Sequence, residues 1–453
     1  MDASSKSMSG SIAEYAVSFD LNTVPPEVVA YSKMLLLDLV GAALAGVTTD
    51  EGQAAVMTIK ALGVGGSTSI WRSGIVTNPA HAALANGTIA HAQELDDFGG
   101  CDHSGAVVIP AILAIAEAEG ITDGTHILEA MILGYEFGVR TMDVFGGYRP
   151  CNDLGWHSTA TCGSIGAAVA AAKMLRLNHE KTCDAIGHAG NIAGGTWSFL
   201  ADGAMAKRVN AGKAAENGVI SAYLAANGMT GPKYVFEADW GGILNTWSHK
   251  DVFPEKLFED LGTDFGLMLS GIKPHASCRG AHSATDSALI LRQHIHDNSD
   301  IAAVRIRCNR YNIRTLGDQT PATRLAAQMS MPYAIAATFI YGHSGLEAFE
   351  EPAFSDPVLR DFMKRIDIEE DETMVGETPP VVEIELTSGK TYSEQTLIAL
   401  GDPENPVPQA QVEAKFMSLA TRSLSISNAQ ILKNTILGIT EDGALTRVIE
   451  LMR

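Results

Sequence analysis

Four segments of the chain hold ionisable side chains where a helical core has no need of them. The first runs from Asn86 through His91, Glu94, Asp97-Phe98 and Gly99-Gly100-Cys101-Asp102 to His103-Ser-Gly-Ala-Val-Val-Ile-Pro110. His91, Glu94 and Asp97 fall at helical spacing, so His91 and Glu94 are expected to share a face. His103 stands at the mouth of the apolar helix that follows. A carboxylate beside an imidazole sets its tautomer or holds its proton, and imidazole titrates near neutrality, so this segment suits proton transfer. The plainer reading is a set of caps and a satisfied surface histidine.

The second segment, Gly155-Trp-His157-Ser-Thr-Ala-Thr-Cys162-Gly, is a polar turn opening an Ala-rich helix. Ser158 or Thr159 is the expected N-cap, and free backbone N–H groups there would suit a carboxylate, although every helix has such an end. The third, Met205-Ala-Lys207-Arg208-Val-Asn-Ala-Gly-Lys213, is one of the few cationic clusters in an acidic chain. Its cations pair with an anionic acid or simply line a helix surface. The fourth, Lys273-Pro-His275-Ala-Ser-Cys278-Arg279-Gly-Ala-His282, gathers basic and imidazole groups where the character of the chain changes, a common place for a site. HExxH, paired CxxC, Walker, strand-led GxGxxG and GxSxG motifs are all missing. General acid–base chemistry on a carbon acid is left as the chemistry these residues suit.

Two regions must position these groups. From about Ile12 to Leu267 the period is helical, as in Val28-Val29, Ser32, Leu35-Leu36, Leu39-Val40 and Ala43-Leu44, with Gly46 as a stop. Small residues crowd Cys162–Lys173 and His188–Gly195, which predicts close helix packing. Near Ser270 the pattern changes. Val304–Cys308 alternates as a strand, Val381–Leu386, Ser388-Gly389 and Lys390–Tyr392 read as a hairpin, and Ala322–Tyr341 reads as helix. Gly401–Pro408 is a proline-rich linker before the helical Gln409–Arg453. The acidic Glu369–Glu372 run reads as a solvated face. The expected fold is mainly α: a large all-helical domain from residues 1–267 and 401–453, with a smaller inserted α+β domain at 268–400.

At 453 residues two domains are the natural expectation, and 46% hydrophobic against 19% charged residues is ordinary globular composition. The 32 basic and 53 acidic side chains give a formal charge of −21 without a basic run, which argues against nucleic acid as a partner. Six scattered cysteines read as reduced thiols. The opening MDASSKSMSG lacks a targeting pattern, and the apolar stretches read as too short for a bilayer, so a soluble, cytoplasmic protein with no membrane partner is expected.

In these segments the sequence resembles the MmgE/PrpD family, which includes 2-methylcitrate dehydratase, cis-aconitate decarboxylase and iminodisuccinate epimerase. The likeness rests on Leu37-Asp38-Leu-Val-Gly41, Glu94-Leu-Asp-Asp97, His103-Ser-Gly-Ala, Gly134-Tyr-Glu136, Gly155-Trp-His157, Lys207-Arg208 with Gly212-Lys-Ala-Ala215, and Lys273 through His282. It covers nearly the whole chain. It implies a homodimer and an interdomain cleft holding Glu94 or Asp97, His103, His157, Lys207, His282 and Tyr311. The decarboxylase pattern has aspartate in the place of Glu94 and threonine in the place of Phe98, while the 273–282 run is closer to the decarboxylase and epimerase branch than to the dehydratases.

The function expected from residues and resemblance together is a lyase without cofactor or metal, acting on a small polycarboxylate as cis-aconitate decarboxylase-like or 2-methylcitrate dehydratase-like. His103 is the leading acid/base, with His157 as its partner and Asp97 beside them. Lys207, helped by Arg208, Lys273 or Arg279, clamps the carboxylates, and Glu94, His282 and Tyr311 contact substrate. The alternatives are an iminodisuccinate-type epimerase, a metal-dependent lyase and a non-catalytic metabolite-binding homologue.

Overall fold

The computed structural model describes residues 7–453, so most of the opening stretch read for targeting lies outside the described residues. Helices dominate, as the periodicity predicts. Pro79–His91, Ser104–Glu119, Gly124–Asp143, Ser158–Met174 and Ala206–Ala226 pack against one another in a dense bundle. Small residues set that density: a Cβ added to Gly87 would come within 2.7 Å of the Gly212 Cα and 2.8 Å of the Ala106 carbonyl oxygen. The helix ending at His91 is thereby seated on the one that carries Lys207 and Arg208 in its first turn.

The C-terminal helices Gln409–Ala420 and Ile426–Leu437 pack on Pro26–Gly46. One hydrophobic cluster accordingly joins residues from Ile12 to Ile272 with residues from Val412 to Met452. A second is built chiefly from Ala276 to Ile384. Pro26–Gly46 is long and apolar enough to cross a membrane by length and composition, which the reading of the apolar stretches overlooked, but most of it is buried inside the protein.

The strands are β1 (Thr68–Ile70), β2 (Ile75–Thr77), β3 (Ile301–Cys308), β4 (Ile366–Glu370), β5 (Val381–Leu386) and β6 (Thr391–Glu394). β1 and β2 form a small antiparallel ribbon, and the other four lie in the order β4-β3-β5-β6. The expected strand is β3, and the expected hairpin is β5-β6, turning at Gly389 with φ +79°. The helix expected over 322–341 is broken into Arg324–Gln328 and Met331–Tyr341, because the Ser330 hydroxyl caps Tyr333 N at 3.1 Å and Pro332 opens the second helix. Half of the acidic run belongs to β4, which pairs in parallel with β3 at the sheet edge. Its exposed Glu369 and Glu370 discourage further pairing there. All six cysteines are free, Cys151 and Cys162 with sulfurs 3.7 Å apart.

Candidate active site

The helix Pro79–His91 does not continue to Asp97 as the spacing suggests. It ends at His91, and Glu94 takes a left-handed conformation with φ +54°. His91 and Glu94 still meet, Nε2 to Oε2 at 4.0 Å, through a turn instead of a shared helical face. Phe98 then bridges to Gly271, and Gly99, Gly100 and Asp102 all have positive φ before the helix Ser104–Glu119 begins with His103 as its N-cap. Two non-glycine residues in the left-handed region within ten positions mark a segment held in shape by its surroundings.

Asp96, not Asp97, is the carboxylate between the histidines. It accepts from His91 Nδ1 at 2.9 Å and from His103 Nδ1 at 3.0 Å, and the two rings lie 4.1 Å apart. Burial alone would raise the Asp96 carboxyl, but His91 and His103 hold it well below the usual range. Burial pushes His91 down to about 3 despite Asp96. With Nδ1–H directed to Asp96, His103 keeps Nε2 for other partners, 3.8 Å from Glu94 Oε1 and 3.7 Å from Asp102 Oδ1.

Three cations converge on one buried carboxylate. Glu94 accepts from Lys207 Nζ at 2.5 Å, from Lys273 Nζ at 3.2 Å and from Arg208 Nη1. Burial would raise Glu94, but Lys207, Lys273 and Arg208 keep it well below its ordinary value. Arg208 also donates to Gln328 Oε1 at 3.1 Å and is fully enclosed. This centre carries two positive charges in excess of its own carboxylate.

A cavity of about 250 Å³ opens beside these groups, and of the expected residues Glu94, His103, Lys207, Lys273 and Tyr311 line it. Arg279, expected as a helper of Lys207, lines it too, together with Asp102, Tyr148, Arg149 and Cys278. Burial drives Tyr311 up to about 12 and Tyr148 well above its usual value, so both phenols stay protonated as donors.

Four expected residues lie behind the wall. His157 accepts at Nδ1 from Asn210 Nδ2 at 3.0 Å, so its proton sits on Nε2 and is donated to Asp102 Oδ2 at 3.2 Å. Burial lowers His157, and together with His103 it holds Asp102 well below the carboxylate range against burial. Arg208 stands behind Glu94. His282 lies edge-on behind the Phe98 ring at 6.3 Å, with Nε2 near the Ser277 carbonyl oxygen and Nδ1 unpartnered. Asp97 turns away, accepting from Tyr135 at 3.0 Å and Gly105 N at 3.2 Å. Burial and the neighbouring Asp96 and Asp38 raise its carboxyl to about 8. The expected cap is also displaced: His157 occupies the N-cap position, and Asn152 Oδ1 takes Ser158 N at 3.0 Å, which removes that donor from any ligand.

His91, Asp96 and His103 offer donor atoms within 4.8 Å of one another, a spacing a metal ion would accept. In this structure both Nδ1 atoms instead meet Asp96 at hydrogen-bond distance. A larger cavity of about 780 Å³ lies elsewhere, against Phe253 and Phe265. With five carboxylates, two cations and no histidine in its lining, it is unsuited to an anion or to proton transfer.

Residues 10–255 match the MmgE/PrpD N-terminal domain and residues 275–439 match the MmgE/PrpD C-terminal domain. A cis-aconitate decarboxylase-like protein of Aspergillus oryzae is 27% identical over 461 residues, covering 95% of this chain and 94% of that protein. A cis-aconitate decarboxylase of Aspergillus terreus is 26% identical, covering 100% and 97%, and the Homo sapiens cis-aconitate decarboxylase is 25% identical, covering 93% and 89%. Both domain models match in order and together take in most of the chain: it belongs to the MmgE/PrpD family.

Proposed function

We propose that the protein is a lyase that decarboxylates a small unsaturated polycarboxylic acid of the cis-aconitate kind by general acid–base chemistry. The observation that carries this reading is the Asp96–His103 pair, with Nε2 left free beside two lysines on the wall of one cavity. Relatives named as cis-aconitate decarboxylases, aligned along nearly the full chain, favour this substrate class.

Lys207 and Lys273 attract the substrate carboxylates, because their shared partner Glu94 leaves positive charge uncompensated. As the carbon–carboxylate bond breaks, its electron pair passes into the conjugated system and onto the oxygens of a retained carboxylate, where the lysines stabilise it. His103, doubly protonated at the start, gives its Nε2 proton to carbon and ends neutral, keeping Nδ1–H on Asp96. Asp96 fixes the ring throughout. Asp102, held in place by His157 and Thr159, keeps an acceptor near Nε2 for its reprotonation by solvent.

The test is incubation of chelator-treated protein with cis-aconitate, 2-methylcitrate, citrate and iminodisuccinate in separate D₂O samples followed by proton NMR. New vinyl signals with carbon dioxide release from cis-aconitate are expected. Alkene formation without carbon dioxide would make it a dehydratase, deuterium wash-in on an unchanged skeleton an epimerase, and binding without turnover a non-catalytic homologue. Activity restored only by added metal would overturn the metal-free mechanism.

A further inference from the structure

We propose that Arg279 is a second carboxylate anchor that selects acids with at least two carboxylates. This rests on the cavity of the proposed lyase as the substrate site. Arg279 lines that cavity, and its side chain is 38% exposed, unlike the buried Lys207 and Lys273 that line the same cavity. Its guanidinium is held from one side: Nε and Nη2 donate to the two oxygens of Asp402 at 2.7 Å each. Asp402 is itself fixed by accepting from Ala399 N at 3.0 Å. From below, the Phe98 ring lies 5.3 Å from the guanidinium carbon, which adds a cation–π contact.

A guanidinium carries five N–H donors, and this side-on pairing uses one on Nε and one on Nη2. Among the described residues Nη1 has no hydrogen-bond partner. The end-on pair Nη1 and Nη2 is therefore left with donors spaced for a carboxylate, in a fork whose orientation is already fixed. Asp402 and Phe98 are positioning residues in this arrangement, and Arg279 is the group that meets the ligand. The inner cations take one carboxylate and Arg279 takes another, so a monoacid forfeits one of the two anchors. Arg149, also on the wall, differs: its Nε pairs with Glu377 at 2.5 Å, and Glu377 is 80% exposed.

The experiment is calorimetric titration of glutarate and butyrate, a diacid and the monoacid left when one of its carboxylates is replaced by hydrogen, into wild-type protein, Arg279→Met and Arg149→Met. Wild type is expected to favour glutarate by about 10-fold or more, the size of one charge-assisted pair. In Arg279→Met that preference should vanish while butyrate affinity stays within about 3-fold, and Arg149→Met should keep it. Unliganded melting curves check that each variant folds, and the glutarate-to-butyrate ratio is read within each protein, so a uniform loss of stability does not mimic the result. A preference retained in Arg279→Met, or lost in Arg149→Met instead, would overturn the assignment. Absence of binding by wild type would overturn it together with the reading of the cavity, whereas absence of cis-aconitate turnover with the ratio intact would overturn only the proposed reaction.

Discussion

The two walls of the cavity solve opposite problems. The inner wall, made by Glu94, His103, Lys207 and Lys273, is buried: Glu94 is tied to lysines from two distant segments, and His103 is tied to Asp96 behind it. The outer wall, made by Arg149, Arg279 and Tyr311, is partly open, and its cations lean on Glu377 and Asp402. Charges deprived of water interact strongly and must be held in fixed geometry, while charges near water are screened and exchange partners at little cost. Groups that move a proton belong to the first kind of wall. Groups that greet and sort an anion can afford the second.

The largest separation between the walls should appear in turnover. Replacing His103 by Gln removes the proposed proton carrier and is expected to lower kcat by about 10²-fold or more, whereas Arg279→Met should act mainly on KM. Steady-state kinetics on cis-aconitate read both.

The next contrast is in stability. Glu94→Gln strands Lys207, Lys273 and Arg208 without their counter-charge, and breaking a buried pair in this way costs roughly 3–5 kcal/mol. Glu377→Gln breaks an exposed pair and should cost at most about 1 kcal/mol. Urea unfolding of the two variants side by side measures the difference.

A subtler expectation concerns Asp97. Its carboxyl, raised to about 8 in the fold, stays protonated where the unfolded chain has already lost the proton. Between the unfolded value near 4 and the folded value near 8 the native state binds more protons, so Asp97 costs stability progressively as pH rises through that window. Asp97→Asn should flatten this dependence between pH 5 and pH 8 in paired thermal melts. His91, pushed down to about 3, acts in the other direction: the unfolded chain takes up a proton below about 6.5, so stability is lost as pH falls. His91→Gln should weaken that acid limb.

Much of the helical scaffold was legible in the sequence because apolar periodicity reports which face is buried, and β3 and the β5-β6 hairpin showed the two-residue alternation. β1 and β2 were missed because three residues are too few to display a period, and β4 because its two isoleucines are followed by glutamates that read as a charged surface. Within the site, residue type and family likeness pointed to His103, Lys207, Lys273, Glu94 and Tyr311, all of which the structure brings to one cavity. Spacing did not separate Asp96 from Asp97, since a one-residue difference is decided by the left-handed turn at Glu94. Nor did it show that His157 stands behind Asp102, or that Arg149 and Tyr148 come forward, because those placements depend on contacts between distant segments.

The most direct test of the Asp96–His103 pair as the proton carrier is to measure binding and chemistry separately in His103→Gln, using calorimetric affinity for glutarate and single-turnover carbon dioxide release from cis-aconitate. Affinity within about 3-fold of wild type, with release slowed by about 10²-fold or more, is the expected result. Release at the wild-type rate with affinity unchanged would contradict it.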